Sequence, residues 1–360
     1  MQKKVLIVDD SALMRRAVSD IINSDEKLTV TDMANNGKKA MELLRQGNRY
    51  DIILLDIQMP IMNGVEFLRA MKEASFRMPV LVVSSIAGKD ASETIEALEL
   101  GAFDFVRKPT GGQLGTAFSV FHDEIMEKVY VGCHLGVYRL GVQQHKKEDI
   151  PAVSERRVIR PRTSRQVKGQ KLAVIASSTG GPKALQTVVP MFPADFPYPL
   201  VIVQHMPAAF TKSLADRLNE MSLLHVKEAE DGEYLQAGTI YIAQGGKQCE
   251  LVEKSPGKYQ IWENDKPPRG GLKPCADIFL ESLVDVSFEE IVCGVLTGMG
   301  SDGTKGIQRL KKNKKIKVVA QDEATCVVYG MPRAVYVAGV VDAVVPLDKV
   351  TGTMIKQLGV

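Results

Sequence analysis

The sequence predicts an α/β protein made of two units, each a parallel sheet covered by helices on both faces. Short runs rich in Val, Ile and Leu alternate with amphipathic stretches through both halves of the chain. One polar, basic stretch interrupts that alternation, and at 360 residues the chain exceeds one ordinary domain. With 45% hydrophobic and 25% charged residues, the composition is that of a soluble globular protein.

In the first unit the strands are "KVLIVDD", "KLTVTDMA", "DIILLDI", "PVLVVSS" and "FDFVRKP". Between the first two, "SALMRRAVSDIIN" places Leu13, Ala17, Ile21 and Ile22 at helical intervals. Near-continuous apolar strands separated by helices imply a sheet buried on both faces. The rhythm fades around Tyr130, and from about Gln143 to Gln170 the chain has almost no apolar periodicity, two prolines and several Arg and Lys. That composition predicts a linker, placing domain boundaries at 1–130, 131–168 and 169–360. The alternation resumes with "KLAVIASS", "PLVIVQH", "GTIYIAQ", "EEIVCGVLTG", "KKIKVVAQD" and "DAVVPL". The second unit is long enough to bury its own core.

Several functional classes are disfavoured at once. The formal net charge of +3 is too small to imply nucleic acid by itself. Cys133, Cys249, Cys275, Cys293 and Cys326 are odd in number and lack C-x-x-C spacing, which predicts reduced, mostly buried thiols rather than disulfides or a zinc site. The opening "MQKKVLIVDD" reaches acidic residues after a short apolar run, so no leader is expected, and no later stretch could span a bilayer. The expected location is cytoplasmic.

In an open parallel sheet, function gathers at the carboxyl ends of the strands. Asp9 and Asp10 end the first strand, Asp56 the third, Ser84 the fourth, and Lys108 the fifth. Three carboxylates in one crevice call for a cation, and hard oxygen ligands suit Mg²⁺. A lysine and a hydroxyl beside them would bind the oxygens of a phosphoryl group transferred to Asp56. "VLIVDDSALMRR", "DIILLDIQMPIMNGVEFL", "PVLVVSS" and "FDFVRKP" resemble the response-regulator receiver domain, a flavodoxin-like fold with a five-stranded parallel sheet. The resemblance implies Asp56 as phosphoacceptor, Asp9, Asp10 and Asp56 around Mg²⁺, and Ser84 and Lys108 as phosphoryl contacts. It also implies Phe105 as the aromatic that changes rotamer on phosphorylation.

The stretch "VIASSTGGPKAL", residues 174–185, opens a different question. Strand, Gly-rich turn and helix make an anion cradle, but neither nucleotide fingerprint is complete. A serine at such a turn is exposed at the tip of the sheet, where neighbouring N–H groups can stabilise an oxyanion. His205 ends the strand "PLVIVQH" at the same edge and is placed to be its base. His122, His134, His145 and His225 fall on helical or linker stretches. The strand "EEIVCGVLTG" runs into "MGSDG", which sets Asp302 where a carboxylate could orient an imidazole.

"IASSTGGPKAL", "VQHMPAAFTKSLADRLN", "VLTGMGSDGTKG" and "VVAQDEATCVVYGMPRAV" resemble the catalytic domain of the chemotaxis receptor-glutamate methylesterase (CheB) family, over most of residues 171–350. That resemblance implies a doubly wound α/β/α domain with Ser178 as nucleophile, His205 as base and Asp302 as its orienting acid. It further implies Met299 and Thr179 at the oxyanion site, and no cofactor for the hydrolase. Two departures from the family pattern, "YIAQGGKQCEL" with Gln244 in place of proline and "PPRGGLKPCADIF", are expected to affect the substrate groove and to leave the triad alone.

The activity implied is a phosphorylation-activated hydrolase that demethylates glutamyl esters of chemoreceptors and deamidates receptor glutamines. The implied partners are methyl-accepting chemoreceptors and the chemotaxis histidine kinase CheA, with no nucleic acid and with membranes met only through receptor arrays. A DNA-binding regulator is the main rival, because "RRVIRPRTSRQVKGQK" is basic. Its weakness is an output unit with no compact helix-turn-helix. A non-enzymatic nucleotide binder using "STGGP" is a third possibility.

Overall fold

The computed structural model describes residues 2–85, 88–109, 114–135 and 170–360, and omits the side chains of 88–90 and 114–116. The linker stretch at 143–169 and His145 therefore lie outside the described residues.

In the first unit, strands β1 (Lys3–Val8), β2 (Leu28–Ala34), β3 (Ile52–Leu55), β4 (Val80–Ser84) and β5 (Asp104–Arg107) form a parallel sheet in the order β2-β1-β3-β4-β5. All five coincide with the apolar runs read from the sequence. Helices α1 (Ala12–Asn23), α2 (Gly37–Arg45), α3 (Gly64–Glu73), α4 (Gly88–Leu100) and α5 (Leu114–Gly132) connect and follow them. Their starts are chemically marked: Ser11 caps α1, Asn36 caps α2, and Asn63 with Glu66 forms a capping box on α3. Gly64 is required by close approach, since a Cβ there would lie 2.4 Å from the carbonyl oxygen of Asp56. This contact sets α3 directly against the loop that follows β3.

The second unit carries a seven-stranded parallel sheet in the order β14-β13-β12-β6-β7-β9-β8. Its strands are β6 (Lys171–Ser177), β7 (Leu200–Gln204), β8 (His225–Glu228), β9 (Thr239–Ile242), β12 (Glu290–Val295), β13 (Ile316–Gln321) and β14 (Ala343–Val345). A separate antiparallel pair, β10 (Gln248–Ser255) with β11 (Lys258–Asn264), stands beside it. The helices are α6 (Gly181–Val188), α7 (Phe210–Met221), α8 (Ala276–Ser282), α9 (Thr304–Asn313), α10 (Met331–Val337) and α11 (Leu347–Leu358). Side chains of α6, α7 and α11 share one core cluster, and those of α8, α9 and α10 share another with the β10–β11 pair. The doubly wound expectation holds. His225 is a correction, because it opens edge strand β8 rather than a helix or linker. Of its four residues, His-Val-Lys-Glu, only Val226 is apolar and buried, too little apolar signal to mark that strand.

The two units touch. Helix α4 packs on α6 and α7, and the core cluster of β6, α6 and α7 continues into first-unit residues such as Ala97, Leu98 and Phe105. The Phe105 and Phe210 rings lie 4.5 Å apart. Both carboxylate oxygens of Glu99 on α4 accept from the Arg217 guanidinium on α7. Among the described residues, no helix is long and apolar enough to cross a membrane.

Candidate active site

Strand order decides where the site forms. β6 lies between β12 and β7: the chain fills the β7 side of the sheet first and crosses to the β12 side afterwards, so the strand order switches at β6 and a crevice opens at its carboxyl edge. The residues following those adjoining strands include Ser178, His205 and, on the far side of the β12 turn, Asp302. All three sequence-predicted residues therefore converge on one edge.

His205 Nε2 and Asp302 Oδ2 are 2.8 Å apart, and both side chains are almost fully buried. Burial pushes the Asp302 carboxyl up, but the hydrogen bond and charge of His205, with the Asp277 N–H, hold it down at about 2. An ionised Asp302 accepts only, so the proton of the neutral ring sits on Nε2. His205 Nδ1 is buried and has no partner among the described residues. It shares a cleft of about 380 Å³ with Ser178, Thr179 and Met299, and residues 270–273 also line this cleft.

Backbone ties fix the serine turn. The Ser178 N–H donates to the carbonyl of Thr297 at 3.0 Å, and the Thr297 hydroxyl donates to the carbonyl of Thr179 at 3.0 Å. Among the described residues, the N–H groups of Thr179 and Met299 make no hydrogen bond, which leaves them available as oxyanion donors. Thr297 was not legible in the sequence as a site residue, although it directly precedes the glycine of "TGMGSDG".

One expectation is corrected here. The segment "PPRGGLKPCADIF" does reach Asp302, the acid expected to orient His205: the N–H groups of Ala276 and Asp277 donate to it at 2.6 and 2.9 Å, and the Cys275 thiol donates at 3.1 Å. The start of α8 thus holds the carboxylate that holds His205, because an ionised acid buried this deeply needs several donors. Cys275 has its thiol pushed up to about 12, first by burial and then by the Asp302 charge. The other cysteines are free as well, and Cys133, Cys249 and Cys293 are buried.

A second constellation lies at the carboxyl edge of the five-stranded sheet, where β1 is flanked by β2 and β3. Lys108 Nζ lies 2.8 Å from Asp9 Oδ2 and 2.6 Å from Asp56 Oδ2. One oxygen each of Asp9, Asp10 and Asp56 fall within 4.8 Å of one another. Burial raises the Asp56 carboxyl to about 6 despite the opposing pull of Lys108. The Lys108 N–H donates to the carbonyl of Ser84, whose own hydroxyl accepts from Thr94 at 2.9 Å. Phe105 is 5% exposed, and its ring meets Phe210 of the second unit.

Residues 173–354 match the CheB methylesterase family, and residues 5–117 match the response regulator receiver domain. A protein-glutamate methylesterase/protein-glutamine glutaminase of Syntrophomonas wolfei is 40% identical over 360 residues, covering 99% of each chain. A Bacillus subtilis protein of the same name is 39% identical and covers 98% of this chain and 97% of its own. The crystal structure of the Thermotoga maritima CheB methylesterase catalytic domain is 42% identical and covers 53% of this chain and 99% of that one, with a TM-score of 0.50. With the sheet order, the His205–Asp302 pair and full-length relatedness in agreement, this chain belongs to the CheB methylesterase family, with a response regulator receiver domain ahead of its catalytic domain.

Proposed function

We propose that the chain is a phosphorylation-controlled protein-glutamate methylesterase and protein-glutamine deamidase acting on chemoreceptors. A receiver at 1–130 and a linker at 131–168 would precede a hydrolase at 169–360. The observation that carries the reading is the buried His205–Asp302 pair, whose free Nδ1 shares a cleft with Ser178. Ser178 Oγ attacks the side-chain carbonyl carbon while His205 Nδ1 takes the hydroxyl proton. The N–H groups of Thr179 and Met299 stabilise the oxyanion. The C–O bond to the methoxy group breaks, His205 returns the proton, and methanol leaves. An amide releases ammonia by the same route. Water then attacks the acyl-enzyme with His205 again as base, giving a glutamate and free Ser178. The hydrolase needs no cofactor.

Control begins at Asp56, the phosphoacceptor, with CheA as phosphodonor. The converging oxygens of Asp9, Asp10 and Asp56 fit a small hard cation, and these residues would hold Mg²⁺, which neutralises phosphoryl charge when bound. Lys108 and Ser84 contact the phosphoryl oxygens, and Phe105 links that site to Phe210. In the resting chain, β5 and α5 form one wall of the catalytic cleft, with Phe105, Glu124 and Lys128 facing it across from Ser178. This wall limits receptor access until phosphorylation changes the pose. The working site is the cytoplasmic side of receptor arrays.

The test is methanol release from methylated receptor membranes. Ser178→Ala and His205→Ala should both abolish it, since triad members act as a unit. Asp302→Ala should be milder, and Ser177→Ala should keep a readily measured rate. Full activity in Ser178→Ala would refute the assignment.

A further inference from the structure

Ser177 and Gln204 are both fully buried polar residues, 0% and 1% exposed, at the carboxyl edge of the catalytic sheet. They face each other across the β6–β7 register. Gln204 Oε1 accepts from Ser177 Oγ at 2.6 Å. Its Nε2 donates to the carbonyl of Ser178 at 3.1 Å and to the carbonyl of His205 at 3.0 Å. Both amide protons therefore lie on the backbones of the two residues that carry the nucleophile and the base. Backbone carbonyls only accept, which fixes the amide orientation, so Ser177 must donate. The neighbouring chain has been cleared for this amide: a Cβ on Gly181 would lie 2.0 Å from Gln204 Oε1.

We propose that Gln204, anchored by Ser177, is a positioning residue for hydrolysis, a side-chain clamp that holds the Ser178 and His205 main chains in mutual register. The inference rests on the reading of Ser178 and His205 as nucleophile and base. Strand hydrogen bonds reach only to the edge, where the His205 N–H meets the carbonyl of Ser177. Beyond it, β6 and β7 enter separate turns with no shared ladder. A bridging amide supplies the missing tie, and buried donors and acceptors of this kind are costly to leave unpaired. Ser177 thus has a role of its own beside the reactive serine. The second glycine of "STGGP" serves close packing rather than phosphate binding.

The experiment uses the full chain with Gln204→Met, which keeps side-chain length and removes all three bonds, and Gln204→Glu, which places a carboxylate against two carbonyls. Misplacement of reacting groups by about 1 Å can cost about 100-fold. Both variants should therefore lose roughly 10- to 100-fold in kcat with KM for methylated receptors unchanged, because the three lost bonds hold the Ser177 hydroxyl and the main-chain carbonyls of Ser178 and His205 rather than the receptor. Protonation restores one donor to the glutamate. The rate of Gln204→Glu relative to the wild type should thus climb as pH falls, while the Gln204→Met ratio stays flat, a difference that lost stability alone would not produce. Ser177→Ala, which removes only the anchor, should lose about fivefold in kcat, the equivalent of one hydrogen bond. A folded Gln204→Met chain with kcat within twofold of the wild type overturns the proposal. If that variant does not fold, an unchanged kcat in Ser177→Ala overturns it instead. Ser178→Ala is measured in parallel, and activity surviving there refutes the nucleophile itself whatever Gln204 does.

Discussion

Breaking the fork between Arg217 and Glu99 should raise the resting activity of the full chain. The pair joins α7 of the catalytic domain to α4 of the receiver through both carboxylate oxygens, and Gln186 on α6 adds a longer contact to Glu99 at 3.4 Å. Arg217 and Glu99 are 39% and 21% exposed, so solvent screens the pair and its bidentate geometry contributes about 0.5–1 kcal/mol. If the packed arrangement of the two units is the inhibited, closed pose, that energy stabilises only that pose. Losing it multiplies the open population by about two- to fivefold while the closed pose dominates. Arg217→Ala and Glu99→Gln should each show this rise in methanol release, and the double variant should add little to either, since one interaction is lost in all three. Exchanging the charges, Arg217→Glu with Glu99→Arg, should return the rate toward its resting value. High salt should shrink all the differences. Resting rates unchanged in both single variants, or fully additive in the double variant, would refute the claim that this contact restrains the active site.

If the receiver is inhibitory, residues 169–360 alone should hydrolyse receptor esters faster than the resting full chain, by roughly 5- to 150-fold for coupling of about 1–3 kcal/mol. An isolated unit no faster than the full chain would replace inhibition with active stimulation. Asp56→Asn should abolish the response to a phosphodonor with Mg²⁺ while leaving the resting rate intact, measured on the same membranes. Glu263 on β11 makes a separate stability prediction: burial, reinforced by Glu228 and Asp231, raises its carboxyl from 4.5 to about 7. The folded chain therefore binds more protons than the unfolded chain across that window, and stability falls as pH rises from about 4.5 to 7. Glu263→Gln should remove this loss. After allowance for solvent the gain is about 1 kcal/mol, or roughly 2–4 °C in Tm at pH 8, and little or nothing at pH 4. Equal shifts at both pH values would contradict the carboxyl as cause.

The sequence by itself determined the two-unit α/β organisation, because fully buried parallel strands must be written as apolar runs such as "DIILLDI" and "LVIVQ", and such runs survive any reading frame of neighbours. It also marked the strand ends where chemistry sits, since Asp9, Asp56, Ser178 and His205 each come directly after the last residue of a strand whose body is an apolar run. Edge strand β8 and the β10–β11 pair escaped notice, as their partly exposed residues alternate too weakly to separate strand from loop. Tertiary structure alone decided what holds each reactive group. Asp302 is fixed by N–H groups 25 and 26 residues away, and Gln204 joins two turns through an amide whose partners depend on strand order. Hydrogen-bond direction and close approach, such as the space left at Gly181, depend on distances between segments remote in the chain, and residue types along one dimension do not encode those distances in a form that can be read locally.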